Sequence, residues 1–302
     1  MIQRVTHETI QRSTLRNLQT NLAAMATAQG QLSSGKRIQV PSDDPAATGQ
    51  ALSLRATTSQ LNQYQRNGQD GDSWLTTVDT ALTTALGYLR NARDLVVQSG
   101  DGGLGLSSRK ALADNIDGLN AGLLSQANAK YQGRTVFAGT SDTGSAFTGS
   151  AGGYTYHGVA DASVVRRVGP STTVRVDTDG SQAFGWTDPA TGAQSTVFAL
   201  MDTISAGLRT GNDVTGTLAD IDSVMQNMLT AASSNGSRQK VLENTMSDVS
   251  AQQLTIKSQL SGVEDIDTAS VIMNLQLQEV TYQGALAAGA RVLQPTLLDF
   301  LR

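Results

Sequence analysis

The stretch "LSSGKRIQVPSDDPAATGQAL", residues 32–52, sets two adjacent carboxylates between a basic turn and an apolar run. Asp43 and Asp44 are either an acid–base pair in a cleft or a joint between two lengths of helix, and the choice decides the fold. Acid–base chemistry needs a pocket and a raised carboxyl pKa around the pair. Capping needs only a helix start next in the chain: an Asp carboxylate accepts from the free N–H groups of a first helical turn, and Pro suits the first helical position. Because Pro45 succeeds Asp44 and opens a helical pattern, Asp44 and Pro45 are read as a helix cap at a joint.

Outward from this joint the apolar residues keep a three-four spacing. Leu15, Leu18, Leu22, Met25 and Leu32 make one helical face, with Gln29 in one seam position. Leu75, Val78, Leu82, Ala85, Leu89, Ala92 and Val96 repeat the spacing, as do Leu112, Ile116, Leu119 and Leu123 after the loop "SGDGGLGLSS". The longest register runs from Leu218 to Val263, roughly 70 Å of helix at about 1.5 Å per residue. The Asn235–Gly236 pair is its expected breaking point. The register fails at "EDIDTAS", residues 264–270, and a new one begins with Ile272, Leu275, Tyr282, Leu286 and Leu293. Two terminal seams therefore flank a body, with joints at residues 33–44 and 264–270.

Residues 141–195 differ. "SDTGSAFTGSAGGYTYHG" is rich in Gly, Ser and Thr, and "SVVRRVG" and "STTVRVDTDG" favour short strands with tight turns. The pattern predicts a mainly α chain: a long antiparallel helical hairpin, coiled-coil arms from both terminal segments, and a small β-rich insertion.

Composition fits narrow seams. Of 302 residues 39% are apolar and only 4% aromatic, which suits helix–helix packing better than a wide interior. A net charge of −4 argues against nucleic acid as the main partner. The ends differ in sign: Arg4, Arg12, Arg16, Lys36 and Arg37 outweigh Glu8, whereas Asp265, Asp267, Glu279 and Asp299 outweigh Arg291 and Arg302. No apolar run is long enough to cross a bilayer, and "MIQRVTHETIQRSTLRNLQ" lacks the apolar core of a secretory signal, so membrane insertion and standard export are not expected.

Chemistry finds little support. "GDGGLG", residues 100–105, matches a dinucleotide-binding spacing but comes after a helical seam, so a helix-to-helix turn capped by Ser107 or Ser108 is the better reading. The chain has no Cys and only His7 and His157, too few for a conventional zinc site. Arg166 and Arg167 read as a solvated strand edge. No catalytic, metal or cofactor-binding residue is predicted, and no enzyme activity.

At both ends the residues resemble a known family. "LSSGKRIQVPSDDPAATGQALSLRA" is similar to the N-terminal signature of the flagellin superfamily, and "LQEVTYQGALAAGARVLQPTLLDFLR" to its C-terminal one. Pro45 after Asp44, the ending "LLDFLR", the single small variable region, and the segments "QNMLTAASSNGSRQKVLENT" and "LSGVEDID" look most like its hook–filament junction branch, the hook-associated proteins of type 3. A minimal filament flagellin is the alternative, then an adhesin-type module carried by residues 141–195.

The resemblance implies a terminal coiled-coil domain (1–40 with 265–302) lining an axial channel, a helical middle domain (41–140 with 196–264), and an outward-facing domain at 141–195. It implies a structural flagellar part that forms a ring with its own copies between an adjacent hook-associated junction protein and flagellin. It also implies export through the flagellar type III apparatus without a cleaved signal, an extracellular location, and a cytoplasmic chaperone on the C-terminal seam. Thin seams interrupted by Gln29, Gly284 and Gly289 suggest arms that gain burial only from neighbours. The expected interface is Leu15, Leu18, Leu22 and Met25 against Leu275, Tyr282, Leu286 and Leu293, packing only in the assembled ring.

Overall fold

The computed structural model describes residues 2–100, 103–150, 153–159, 162–187 and 194–293. Seven α-helices carry the described chain: α1 (Ile2–Ser34), α2 (Pro45–Ser99), α3 (Leu106–Ala127), the short α4 (Gly180–Ala183), α5 (Val197–Thr210), α6 (Leu218–Glu264) and α7 (Thr268–Leu293). The helical breaks fall where the sequence places its two joints. The chain divides into two compact units, residues 1–60 with 253–302 and residues 61–252.

The second unit is built on the seam of α2. Buried positions recur at Leu61, Tyr64, Gly68, Gly71, Leu75, Val78, Leu82, Ala85, Leu89, Ala92, Val96 and Ser99, an uninterrupted three-four spacing. The apolar pattern alone marks this seam only from Leu75. Before that, two glycines fill it because α6 comes close. A Cβ on Gly68 would stand 2.8 Å from Met246 Cγ of α6, whereas one on Gly71 would press closest on Val176 Cγ1, at 3.3 Å, with Leu242 Cδ2 of α6 at 3.4 Å.

From α6 the buried side chains Ile221, Met228, Asn235, Leu242 and Val249 recur every seventh residue. The expected break at Asn235–Gly236 is absent. Asn235 is buried on the seam, and its Nδ2 donates to the Leu75 carbonyl oxygen at 2.9 Å, so a polar side chain becomes a packed knob. α3 and α5 pack against each other through Leu112, Ile116 and Leu123 on one side and Phe198, Met201, Ile204 and Leu208 on the other. The cap expected from Ser107 or Ser108 is not made. Gly105 is the N-cap, without a side-chain bond, and both serines lie inside the first turn.

Among the described residues, four antiparallel pairs supply the strands: β1 (Lys130–Tyr131) with β2 (Arg134–Thr135), β3 (Phe147–Ser150) with β4 (Gly153–Tyr156), β5 (Val165–Arg167) with β6 (Thr173–Arg175), and β7 (Gly185–Thr187) with β8 (Gln194–Thr196). Pairs this short do not stand alone in water. They gather on an aromatic cluster in which Phe147 meets Tyr156 at 4.9 Å and Phe198 at 5.2 Å, while Phe137 meets Phe184 edge-on at 5.1 Å. The guanidinium groups of Arg134 and Arg166 both stack over the Trp74 ring of α2, at 5.9 and 5.6 Å from its centre. Arg166 in turn pairs with Asp70 at 2.6 Å, so it is tied down rather than a solvated strand edge.

Candidate assembly surface

In the first unit the joint comes before the seam. α1 ends at Ser34, and Gly35 turns the chain with φ +68°, a left-handed value that favours glycine. The chain then bonds across to the other joint: Arg37 N–H donates to the Glu264 carbonyl at 2.6 Å, and Ile266 N–H to the Gly35 carbonyl at 3.2 Å. Lys36 Nζ reaches Asp265 Oδ1 at 2.6 Å and Glu264 Oε2 at 3.3 Å, and Arg55 reaches Glu264 Oε1 at 2.8 Å. Glu264, buried between two cations, is the residue that sequence reasoning misses. Its only signal is an acidic pair, Glu264–Asp265, opposite the basic pair Lys36–Arg37.

Asp43 and Asp44 serve the backbone. Asp43 Oδ2 accepts from the N–H groups of Gln39 and Val40, both at 3.0 Å, and these bonds hold its pKa below the usual carboxylate value. Asp44 Oδ1 accepts from Ala47 N–H at 2.9 Å, and Pro45 is the first residue of α2. Across the joint, Asp267 accepts from Ala269 and Ser270 at the start of α7.

Expected to pack only in an assembled ring, α1 and α7 already lie side by side in the single chain. They run antiparallel: a Cβ on Gly289 would meet Thr14 Cγ2 at 3.3 Å, while Ala28 and Gln31 share a groove with Val271 and Gln278. Among the covered positions, one row on α1 is Thr14, Leu18, Asn21, Met25, Ala28 and Leu32, and one on α7 is Val271, Leu275, Gln278, Tyr282, Ala285 and Gly289, with Ser13, Ala24, Gly30, Gln31 and Ser270 half-covered beside them. Both sets keep perfect four-three spacing.

The eight residues singled out from sequence divide accordingly. Leu18, Met25, Leu275 and Tyr282 are half-buried on this seam, whereas Leu15, Leu22 and Leu286 are exposed. Leu293 ends α7, and its side chain lies outside the described residues. The alternate seam position in each heptad is thus shifted by one residue. Thr14, Asn21 and Ala28 take the places expected for Leu15, Leu22 and Gln29, and Ala285 takes that of Leu286. Small side chains at Ala28, Ala285 and Gly289 allow close approach, and Leu15, Leu22 and Leu286 are left on the flanks.

A further apolar row escapes the sequence reading. Met273, Leu277 and Val280 are 65%, 65% and 67% exposed, and Gly284 and Ala287 continue their spacing. This row is offset by two residues from the seam, hence about 200° around the helix. A second heptad register within one helix is the signal that reveals it. Among the described residues, no group of three His, Asp or Glu side chains is placed to hold a metal ion, and no helix is long and apolar enough to cross a membrane.

The comparisons agree with this layout. The family described as the bacterial flagellin N-terminal helical region matches residues 5–142, and the bacterial flagellin C-terminal helical region matches residues 218–301. The flagellar hook-associated protein 3 of Salmonella typhimurium is 29% identical over 275 residues, covering 84% of this chain and 86% of that protein. A flagellin of Bacillus subtilis is 25% identical over 323 residues, covering 99% and 100%. In fold, the crystal structure of flagellar hook associated protein-3 from Legionella pneumophila is similar with a TM-score of 0.62 at 17% identity, covering 70% of this chain and 98% of that one. With both terminal helical regions matched at opposite ends of one helical chain, this protein belongs to the flagellin superfamily.

Proposed function

We propose that this chain is a structural part of the bacterial flagellum, a junction subunit between the hook and the flagellin filament, and not an enzyme. The observation that carries the reading is the terminal helix pair. Half of its seam positions hold small or polar residues, while Leu15, Leu22, Met273, Leu277, Val280 and Leu286 stay exposed. Exposed apolar rows of this kind, one flanking the seam and one on the far side of α7, mark interaction surfaces. Assembly in a ring of its own copies, against a neighbouring hook-associated protein on one side and flagellin on the other, would cover it. The junction role in particular is supported by the likeness to the hook-associated protein 3 of Salmonella typhimurium along most of both chains.

The proposed division of labour keeps residues 1–40 with 265–302 as the assembling domain and 41–140 with 196–264 as the helical middle. Residues 141–195 are then the variable domain. Before assembly, a cytoplasmic chaperone shields the α7 stripe, and the chain leaves through the flagellar export apparatus to an extracellular position. A minimal filament flagellin is the second reading, favoured by the end-to-end match to the Bacillus subtilis flagellin. A deletion strain separates the two. Loss of filaments with monomeric flagellin shed into the medium is the result expected of a junction part. Intact hooks and junctions that lack only their filament subunit, with no flagellin in the medium, would overturn it in favour of flagellin.

A further inference from the structure

The α1–α7 seam is long, yet it says little about its own register. Antiparallel pairing that sets Thr14 beside Gly289 brings Ala28 level with Leu275, Asn21 with Tyr282 and Leu18 with Ala285. Each pair matches a large side chain to a small or polar one. A slip of one heptad, about 10 Å along the helices, keeps that match: Ala28 comes level with Tyr282, and Met25 with Ala285. A polar seam residue can select a register when it meets a polar partner. Asn21 and Gln278 are not level with each other in either arrangement, so they do not choose between them.

What distinguishes the registers lies at the joint. Glu264 is the last residue of α6, and its side chain is only 5% exposed. Its carboxylate meets Lys36, just past the end of α1, at 3.3 Å and Arg55 of α2 at 2.8 Å. Its backbone carbonyl accepts from Arg37 N–H, and the Arg37 guanidinium donates to the Val263 carbonyl at 3.1 Å. A one-heptad slip of α1 would carry Lys36 and Arg37 out of reach of all these groups.

A buried ion pair adds little net stability, because desolvation offsets most of the attraction; losing one partner strands a charge and is costly. Such a group therefore penalises wrong arrangements more than it rewards the right one. We propose that Glu264, gripped by Lys36 and Arg55, is a positioning residue that sets the register of the α1–α7 pair. Register is a property of the single chain, so it holds whether or not the chain is a junction subunit. In the assembly reading it has a consequence, since it fixes the offset between Leu15 and Leu22 on α1 and Leu286 on α7, all exposed.

Because the chain has no Cys, engineered cysteine pairs report register without background. Thr14→Cys with Gly289→Cys marks the native register. Asn21→Cys with Gly289→Cys, and Thr14→Cys with Tyr282→Cys, mark slips of one heptad in either direction. Disulfide formation in the full chain under oxidised glutathione is followed by non-reducing electrophoresis. With Glu264 in place the native pair should form about tenfold or more faster than either slipped pair. Glu264→Gln keeps the shape and removes the charge, and should lower that ratio about tenfold while the denaturation midpoint of the body stays unchanged. Arg55→Gln changes an exposed cation and should move the ratio the same way; it decides alone if the Glu264 variant does not fold. A ratio that the variants leave unchanged, or an equal slowing of all three pairs, overturns the proposal.

Discussion

In the body of the chain, α2 offers Leu75, Val78, Leu82, Leu89 and Val96 to its neighbours, each with no measurable exposure. In the terminal pair, half of the same three-four positions are filled by Thr14, Asn21, Ala28, Gln278, Ala285 and Gly289, the other half by larger residues, and most of the seam is only half-covered. Full burial of a leucine or valine is worth roughly 1.5–3 kcal/mol, whereas alanine, threonine and glycine return far less. Spacing sets where a seam lies; side-chain volume sets whether it holds without help. The body is finished by its own residues, and the terminal pair leaves Leu15, Leu22, Met273, Leu277, Val280 and Leu286 on surfaces that the single chain does not cover.

The contrast breaks most visibly at Leu82. Truncation to alanine leaves a cavity among fully buried side chains and should cost about 2–5 kcal/mol. Chemical denaturation of the purified chain would register this as a lower midpoint at an unchanged slope. A cost under about 1 kcal/mol would mean that the body seam is loosely packed and that its difference from the terminal pair is false.

Legibility in the sequence divides along the same line. Where seam positions are leucine and valine, as from Leu75 to Val96, the apolar pattern is the seam. Where helices approach closely, glycine replaces leucine and the pattern goes silent, so the part of α2 around Gly68 and Gly71 cannot be read. Asn235–Gly236 reads locally as a break because both residues favour turns, yet burial against the Leu75 carbonyl overrides that preference. The joints are legible because Gly35, Asp44, Pro45 and Asp267 end or begin helices by local rules. Partners across the joints are not, since Lys36 and Asp265 meet only through the fold. At the candidate surface the difficulty is one residue wide. Leu15 and Thr14, or Leu286 and Ala285, satisfy the same heptad, and periodicity prefers the larger member when packing has chosen the smaller.

A smaller effect is expected at the joint, and pH sharpens it. The Lys36 ammonium, with help from Ser261, holds the Asp265 carboxyl below its ordinary value of 3.8. The stabilisation from that group is therefore present above the ordinary value and is lost as pH falls through the lowered one. Lys36 is the mirror case: its hydrogen bond to Asp265, more than its partial burial opposes, raises it above 10.5. Its contribution is complete below 10.5 and lost as pH rises through the raised value. Between those limits the joint should hold. Hydrogen exchange at the Arg37 and Ile266 amides, which bridge the two joints, should lose protection on acidification below about pH 3.8 before the amides of the body do. Because the pair is exposed, high salt should reduce the effect. Protection of these two amides that tracks the body throughout the acid range would show that the ion pair contributes nothing to the joint.

The smallest effect on the isolated chain belongs to the outer row of α7, and it is the most discriminating. Leu277 and Val280 are about two-thirds exposed, so replacing both with glutamine removes little buried area, and glutamine forms helix well. Stability of the purified double variant should stay within about 0.5 kcal/mol of the parent for each change. In a cell whose only copy carries these substitutions, filaments and swimming should nevertheless be lost, because a face meant for neighbouring subunits has become polar. The outcomes divide cleanly. A double variant that is markedly less stable alone would mean that the row packs within its own chain, and the terminal pair would then resemble the body. A variant equally stable and fully able to support filaments would leave Leu15, Leu22 and Leu286, on the flanks of the α1–α7 seam, to carry assembly without this row.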